Sequence, residues 1–169
     1  AYGIATRVEQ VILLPSIGLN MAVMSLCGQN NGAGRFERVK ETVNTALKYG
    51  VYAMIPGMAV LFLFAEPLMG IFASEQAVIG IGAPFLRISA FMLWGYVILF
   101  LFVSALQGLK RPLYAVWIGL YRQIAGPFVL FNFLAFTLGW GIFGIWYGIF
   151  IMVWSSTGIT LIYARSVLN

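Results

Sequence analysis

The chain has 169 residues, of which 62% are apolar and 9% charged, against globular norms of roughly 45–50% and 25%. With a mean hydropathy of +0.94, that balance excludes a water-soluble fold, a disordered chain and a disulfide scaffold. His and Asp are absent and Cys27 has no cysteine partner, which removes Cys/His zinc sites, Ser-His-Asp and Cys-His catalytic groups and disulfides.

A membrane-spanning helix needs about 20 mostly apolar residues, and the charge-free runs are Gln10–Gly34, Tyr49–Ala65, Ile88–Leu109 and Gln123–Ala164. The first predicts a helix over 4–27. A polar loop, Asn30-Asn31-Gly32-Ala33-Gly34, then leads through Arg35 to Glu41 into a second helix over 43–65 that extends towards 72. A loop near Ser74 precedes the third, over 78–107. Gly108-Leu109-Lys110-Arg111-Pro112 separates it from a fourth over 113–137, with Pro112 placed as a first helical residue, where its missing N–H costs nothing. The last run has room for two spans, so it must turn. Leu138-Gly139-Trp140-Gly141 supplies the glycines for that turn and a fifth helix follows over 142–164. The expected class is an all-α integral membrane protein, a polytopic bundle of five transmembrane helices.

Five alternating spans put the first and third loops on one side with the C-terminus. These carry Arg35, Arg38, Lys40, Lys48, Lys110, Arg111 and Arg165, seven of the ten basic residues, whereas the opposite loops carry Glu66 and Glu75. The positive-inside rule then places the N-terminal end outside and the C-terminus in the cytoplasm, which makes the protein multi-pass in a cytoplasmic membrane and argues against nucleic acid as the partner of the net +5 charge. An odd number of spans and a first residue that is not Met lead to the expectation that Ala1 lies part-way through a larger protein.

Arg7, Glu9, Arg87 and Arg122 fall inside predicted spans. A charge near the bilayer centre costs roughly 2.5–3.5 kcal/mol, so such residues pair inside the bundle or line an aqueous path. Arg122 is the deepest, about ten residues or roughly 15 Å from Pro112. Arg7 and Arg87 lie nearer the outer ends, within reach of the interface. Two readings of Glu9 are open: an interhelical ion pair with Arg122 or Arg87, or a part in ion coupling with Arg122. Prolines stand mid-span at Pro15, Pro56 and Pro127, where each frees a carbonyl and makes a candidate hinge. Gly144 and Gly148 form a G-x-x-x-G face suited to packing.

Several segments resemble the multidrug and toxic compound extrusion (MATE) transporters. Ala1-Tyr2-Gly3-Ile4-Ala5-Thr6-Arg7-Val8-Glu9-Gln10, Pro15-Ser16-Ile17-Gly18-Leu19 and Gly28-Gln29-Asn30-Asn31-Gly32-Ala33-Gly34-Arg35 resemble the second helix of a lobe and its cytoplasmic loop. Ser104-Ala105-Leu106-Gln107-Gly108-Leu109-Lys110-Arg111-Pro112 and Leu120-Tyr121-Arg122-Gln123 resemble that family's tenth and eleventh helices. The resemblance implies a fragment of a twelve-helix, two-lobe transporter: helices 8 to 12 of the C-terminal lobe, with helix 7 and the N-terminal lobe as the missing partners. The orientation derived from charge agrees with that placement.

What the resemblance implies for function is export of small amphipathic, often cationic organic molecules across the lipid bilayer by antiport, with H⁺ or Na⁺ as coupling ion, no metal and no cofactor. Sodium-coupled members carry an acid on helix 7 and an Asp on helix 10, but the corresponding stretch here, Trp94-Gly95-Tyr96-Val97, has no carboxylate. Glu9 remains as the intramembrane acid. Phe91, Trp94, Tyr96, Tyr121 and Trp146 are the aromatic candidates for the substrate cleft. A flippase for lipid-linked precursors and a non-transporting membrane scaffold are the alternatives.

Overall fold

The computed structural model describes residues 1–168, which are helical almost throughout, with no strand among the described residues. The elements are α1 (Tyr2–Gly32), α2 (Phe36–Leu63), α3 (Ala65–Phe72), α4 (Gln76–Gly108), α5 (Leu113–Leu120), π1 (Tyr121–Ala125), α6 (Gly126–Phe131), π2 (Asn132–Thr137) and α7 (Gly141–Leu168). α1, α2, α4 and α7 are each long and apolar enough to cross a membrane. The fifth span, residues 113–137, is one continuous helical path in which α-helical and π-helical turns alternate.

The helices overrun the spans expected from charge, because a charge ends the apolar stretch without ending the helix. α2 begins at Phe36 rather than near residue 43. Its first turns hold Glu37 and Lys40 one turn apart, with Nζ and Oε1 3.5 Å apart, and exposed pairs of this kind support a helix weakly. The expected extension towards residue 72 is a separate helix: α2 closes at Leu63 and α3 starts again at Ala65. Pro112 is the residue before α5 rather than its first.

α4 is the axis of the bundle. It is apolar all round, carries fifteen of the buried residues and packs against α1, α2, α3 and α7, as expected of a helix without a polar face. Two cores stack along it. One joins Ala5, Met54, Leu61, Met69, Leu86, Leu93, Trp146 and Val153 at the end bearing Glu66 and Glu75. The other joins Val23, Cys27, Val39, Leu101, Ala105, Leu106 and Ala164 at the end bearing the basic loops. Between α4 and α7, the Thr157 hydroxyl lies 3.0 Å from the Gly95 carbonyl oxygen and 2.8 Å from that of Val153.

The fifth span packs chiefly on α7 and meets α4 through α5 and through the Arg122 side chain. Polar side chains join it to α7: the Tyr114 hydroxyl donates to Thr160 Oγ1 at 2.8 Å, and Tyr121 Oη lies 2.9 Å from Ser155 Oγ. Tyr114 also stacks on Tyr163, with centroids 4.4 Å apart. Further along, Gly144 and Gly148 make the packing face expected of them. A Cβ at Gly144 would stand 2.7 Å from the Leu134 carbonyl, and one at Gly148 would stand 2.8 Å from the Phe131 ring. The turn at 138–141 uses positive φ at Gly139 (71°) and Gly141 (56°), a region that residues with a Cβ disfavour.

Candidate functional site

Among the proline hinge candidates, Pro15 and Pro56 stand inside unbroken α-helices. Pro127 alone coincides with a change of helix type. Its ring excludes the carbonyl of Gln123 from an α-helical bond, and the turn immediately before it, π1, is the wider one. Such π turns gather at functional sites. Here π1 carries Arg122.

Arg122 faces a cavity of about 820 Å³ between α4, the fifth span and α7, with Tyr2 of α1 at its edge. Its guanidinium carbon lies 5.4 Å from the Tyr96 ring centroid and 5.1 Å from that of Phe100. Those two rings are themselves nearly parallel, 6.0 Å apart at 8°. The sequence dictates this platform, because positions 96 and 100 are one helical turn apart on α4 and so share a face. Cation–π contacts in a desolvated setting contribute about 2 kcal/mol, which offsets much of the roughly 2.5–3.5 kcal/mol that a mid-membrane arginine costs. Arg122 Nε is buried and has no hydrogen-bond partner among the described residues.

The expected ion pair between Glu9 and Arg122 or Arg87 does not form. Arg122 is turned onto the two rings of α4, and Arg87 pairs with Glu66, Nη2 to Oε1 at 2.9 Å, a half-exposed bridge joining α4 to α3. Glu9 is 6% exposed, and its Oε1 is a buried atom with no hydrogen-bond partner among the described residues. It lies on α1 beside the core at the Glu66 end, with Ala5 and Val8 buried on the same helix.

The aromatic candidates divide. Tyr96 and Trp146 line the cavity; Trp146 is fixed by Phe143 at 5.0 Å and Phe85 at 5.7 Å. Tyr121 is held against α7 by Ser155. Phe91 lies on another face beside Phe62, 5.7 Å away, in a shallow pocket shared with Arg87. Trp94 packs against the core at the Glu66 end, with a buried Nε1 that has no partner among the described residues. Tyr2, Phe100 and Gln123 line the cavity and were not singled out from the sequence. Phe100, one turn after Tyr96, carried a signal that helical spacing reveals.

A second groove of about 540 Å³ runs along α1 and α4 towards the basic end. Gln10, Asn20, Ser104 and Gln107 give it polar points, and Phe100 lines it as well as the first cavity. Asn20 Oδ1 is buried there without a partner among the described residues.

The family model described as MatE matches residues 1–131. A relative from Shewanella oneidensis described as a FAD transporter is 27% identical over 124 residues, covering 73% of this chain and 27% of its own length. One from Pseudomonas aeruginosa, described as a probable multidrug resistance protein NorM, is 26% identical over 156 residues, covering 88% of this chain and 32% of its own. The chain therefore spans about a third or less of these relatives. Among solved structures, an inward-facing multidrug resistance MATE family transporter matches with a TM-score of 0.90 at 19% identity, over 97% of this chain and 38% of its own. An outward-facing one matches with a TM-score of 0.91 at 19% identity, over 99% and 38%. These likenesses establish the fold.

Proposed function

The chain belongs to the MatE family, and from that premise we propose that it is part of a secondary active exporter of small amphipathic organic molecules, coupled by antiport to H⁺ or Na⁺. The membrane-spanning helices and the family make it a multi-pass membrane protein of a transporter family. Beyond that, relatives named for multidrug resistance and for FAD transport support an organic cargo. The lobe resembles inward- and outward-facing transporters equally well. That supports alternating access in which this lobe moves as a unit against a second lobe and helix 7.

The observation that carries the coupling reading is Glu9: a carboxylate buried in a membrane helix with Oε1 unpartnered. Intramembrane acids of that kind mark ion pathways. Our proposal places the protein in the cytoplasmic (inner) membrane with the N-terminal end outside, so that Glu9 lies in its outer half. Organic cations are the class that family resemblance implies for the whole transporter.

The test is Glu9→Gln in the complete transporter, reconstituted in liposomes with an imposed proton or sodium gradient. Gln keeps the volume of the side chain and cannot change charge. Coupled efflux should be lost while yield and insertion are unchanged. Wild-type coupled efflux in the variant would refute the coupling role of Glu9.

A further inference from the structure

We propose that the crevice beside Arg87 and Glu66, across α4 from the cavity, is a binding site for one membrane phospholipid, phosphatidylethanolamine. Its phosphate sits on Arg87, its ammonium on Glu66, and an acyl chain follows the aromatic wall below them. The crevice has a volume of about 270 Å³ and lies between α2, α4 and α7, lined by Phe62, Arg87, Ile88, Phe91, Tyr147 and Phe150. Its place on α4 follows from the helical repeat. Phe91 and Phe100 are separated by about two and a half turns at 3.6 residues per turn, so they stand on opposite sides of the helix. Phe100 faces Arg122 together with Tyr96, whereas Phe91 meets Phe62 edge-on at 5.7 Å. A second lobe and helix 7 would close the molecule on the Arg122 side, which leaves the Phe91 side to lipid. On that point the inference rests on the transport reading.

The two ends of the crevice select the occupant. α4 runs from Gln76, next to Glu75, towards the basic loop, so Phe91, one turn beyond Arg87, lies deeper in the hydrocarbon. The Arg87 side chain leans the other way, towards the start of its helix and the interface. Apolar wall alone would accept any acyl chain; the ion pair at the mouth is what distinguishes one headgroup from another. Arg87 Nη2 lies 2.9 Å from Glu66 Oε1, and the two side chains are 44% and 62% exposed. Both therefore keep bonding capacity, since a guanidinium has five N–H donors and a carboxylate about four acceptor sites. A phosphate can take the remaining donors of Arg87 through charge-assisted hydrogen bonds, with Glu66 beside it to accept from a cation. Phosphatidylethanolamine carries a phosphate and an ammonium with N–H donors on one short headgroup. The trimethylammonium of phosphatidylcholine has no N–H to donate. Phosphatidylglycerol brings an anion to Glu66 with no cation to offset it.

The experiment uses the complete transporter in phosphatidylcholine liposomes with a trace of a photoreactive phosphatidylethanolamine, its diazirine on one acyl chain, and locates crosslinked peptides by mass spectrometry. The probe should label the peptides that carry Phe62, Phe91 and Tyr147. Replacing half of the host lipid with unlabelled phosphatidylethanolamine should lower that labelling, relative to total labelling, roughly two- to threefold, as a three- to fivefold preference on the scale of a half-exposed charge contact requires. Replacing it with phosphatidylglycerol should not. In Glu66→Gln the order should reverse: phosphatidylethanolamine loses its effect and phosphatidylglycerol gains one, because Arg87 no longer has an acid beside it. A reversal of selectivity is something that loss of fold does not produce. Arg87→Gln should reduce labelling of these peptides to that of other lipid-facing peptides. Equal competition by the two lipids in wild type, labelling confined to other peptides, or unchanged selectivity in Glu66→Gln overturns the site. Ion-coupled efflux is measured separately. Efflux with unselective labelling overturns this site and spares the transport reading, whereas selective labelling without coupled efflux overturns the transport reading and spares the site.

Discussion

The crossing of α1 and α4 at the basic end is so close that one methyl group should disturb it. A Cβ on Gly108 would stand 2.5 Å from the Met24 carbonyl oxygen, 3.0 Å from the Gly28 nitrogen and 3.1 Å from Cys27 Cβ. Two of these are backbone atoms, which cannot swing aside as a side chain can. Ordinary contact needs about 3.5 Å, so Gly108→Ala should force the helices roughly 1 Å apart. That separation loosens Val23, Cys27, Ala105 and Leu106, each at most 1% exposed. Overpacking costs about 1–3 kcal/mol, and because Gly108 is the last residue of α4 the gain in helix propensity is too small to offset it. We expect roughly 2–3 kcal/mol of destabilisation in reversible SDS unfolding of the complete protein. Two controls bracket the effect. Gly28→Ala, whose Cβ would make an ordinary 3.5 Å contact with the Gly108 oxygen, should be close to neutral, and Gly158→Ala, with nothing within 4 Å, should gain up to about 1 kcal/mol of propensity. If Gly108→Ala matched Gly158→Ala within about 0.5 kcal/mol, the close crossing would not be a determinant of stability.

Glu9 and Arg122 form no ion pair, so Glu9→Gln and Arg122→Gln should be additive in a double-mutant cycle on unfolding free energy, coupling by less than about 0.5 kcal/mol; coupling of several kcal/mol, as for a broken buried pair, would show that they are partners. The Arg87–Glu66 bridge is half exposed, and Glu66→Gln should shift stability by no more than about 1 kcal/mol, a limit that thermal melting at low and high salt checks. For orientation, cysteines at Ser74 and Gly139 should react from outside with an impermeant thiol reagent and one at Arg38 should not, and the reverse pattern would invert the topology.

The helices were legible in the sequence because hydropathy and turn residues are local. Continuous helix covers the expected span at 113–137, and positive φ falls on the glycines chosen for the turn. The excess length of α2 was not legible, since charged residues that leave the membrane remain good helix formers. Partner choice was the least legible part. Sequence places Arg122 and Glu9 inside spans and Arg87 nearer the end of one, but which face each helix turns to its neighbours is set by packing. Packing brought Arg122 to the rings of Tyr96 and Phe100 rather than to a carboxylate. The same applies to Tyr121, whose hydroxyl meets Ser155 on α7 although its neighbour Arg122 lines the cavity.

The attachment of the fifth span to α7 bears on how the chain is made. Residues 113–137 bear an arginine and two tyrosine hydroxyls whose partners, Ser155 and Thr160, are supplied by the next helix. A segment with those polar groups is poorly retained in lipid by itself. The turn at Gly139 is short enough for the next helix to fold back on this segment, so a chain that ends just after the turn should insert residues 113–137 less completely than one that includes α7.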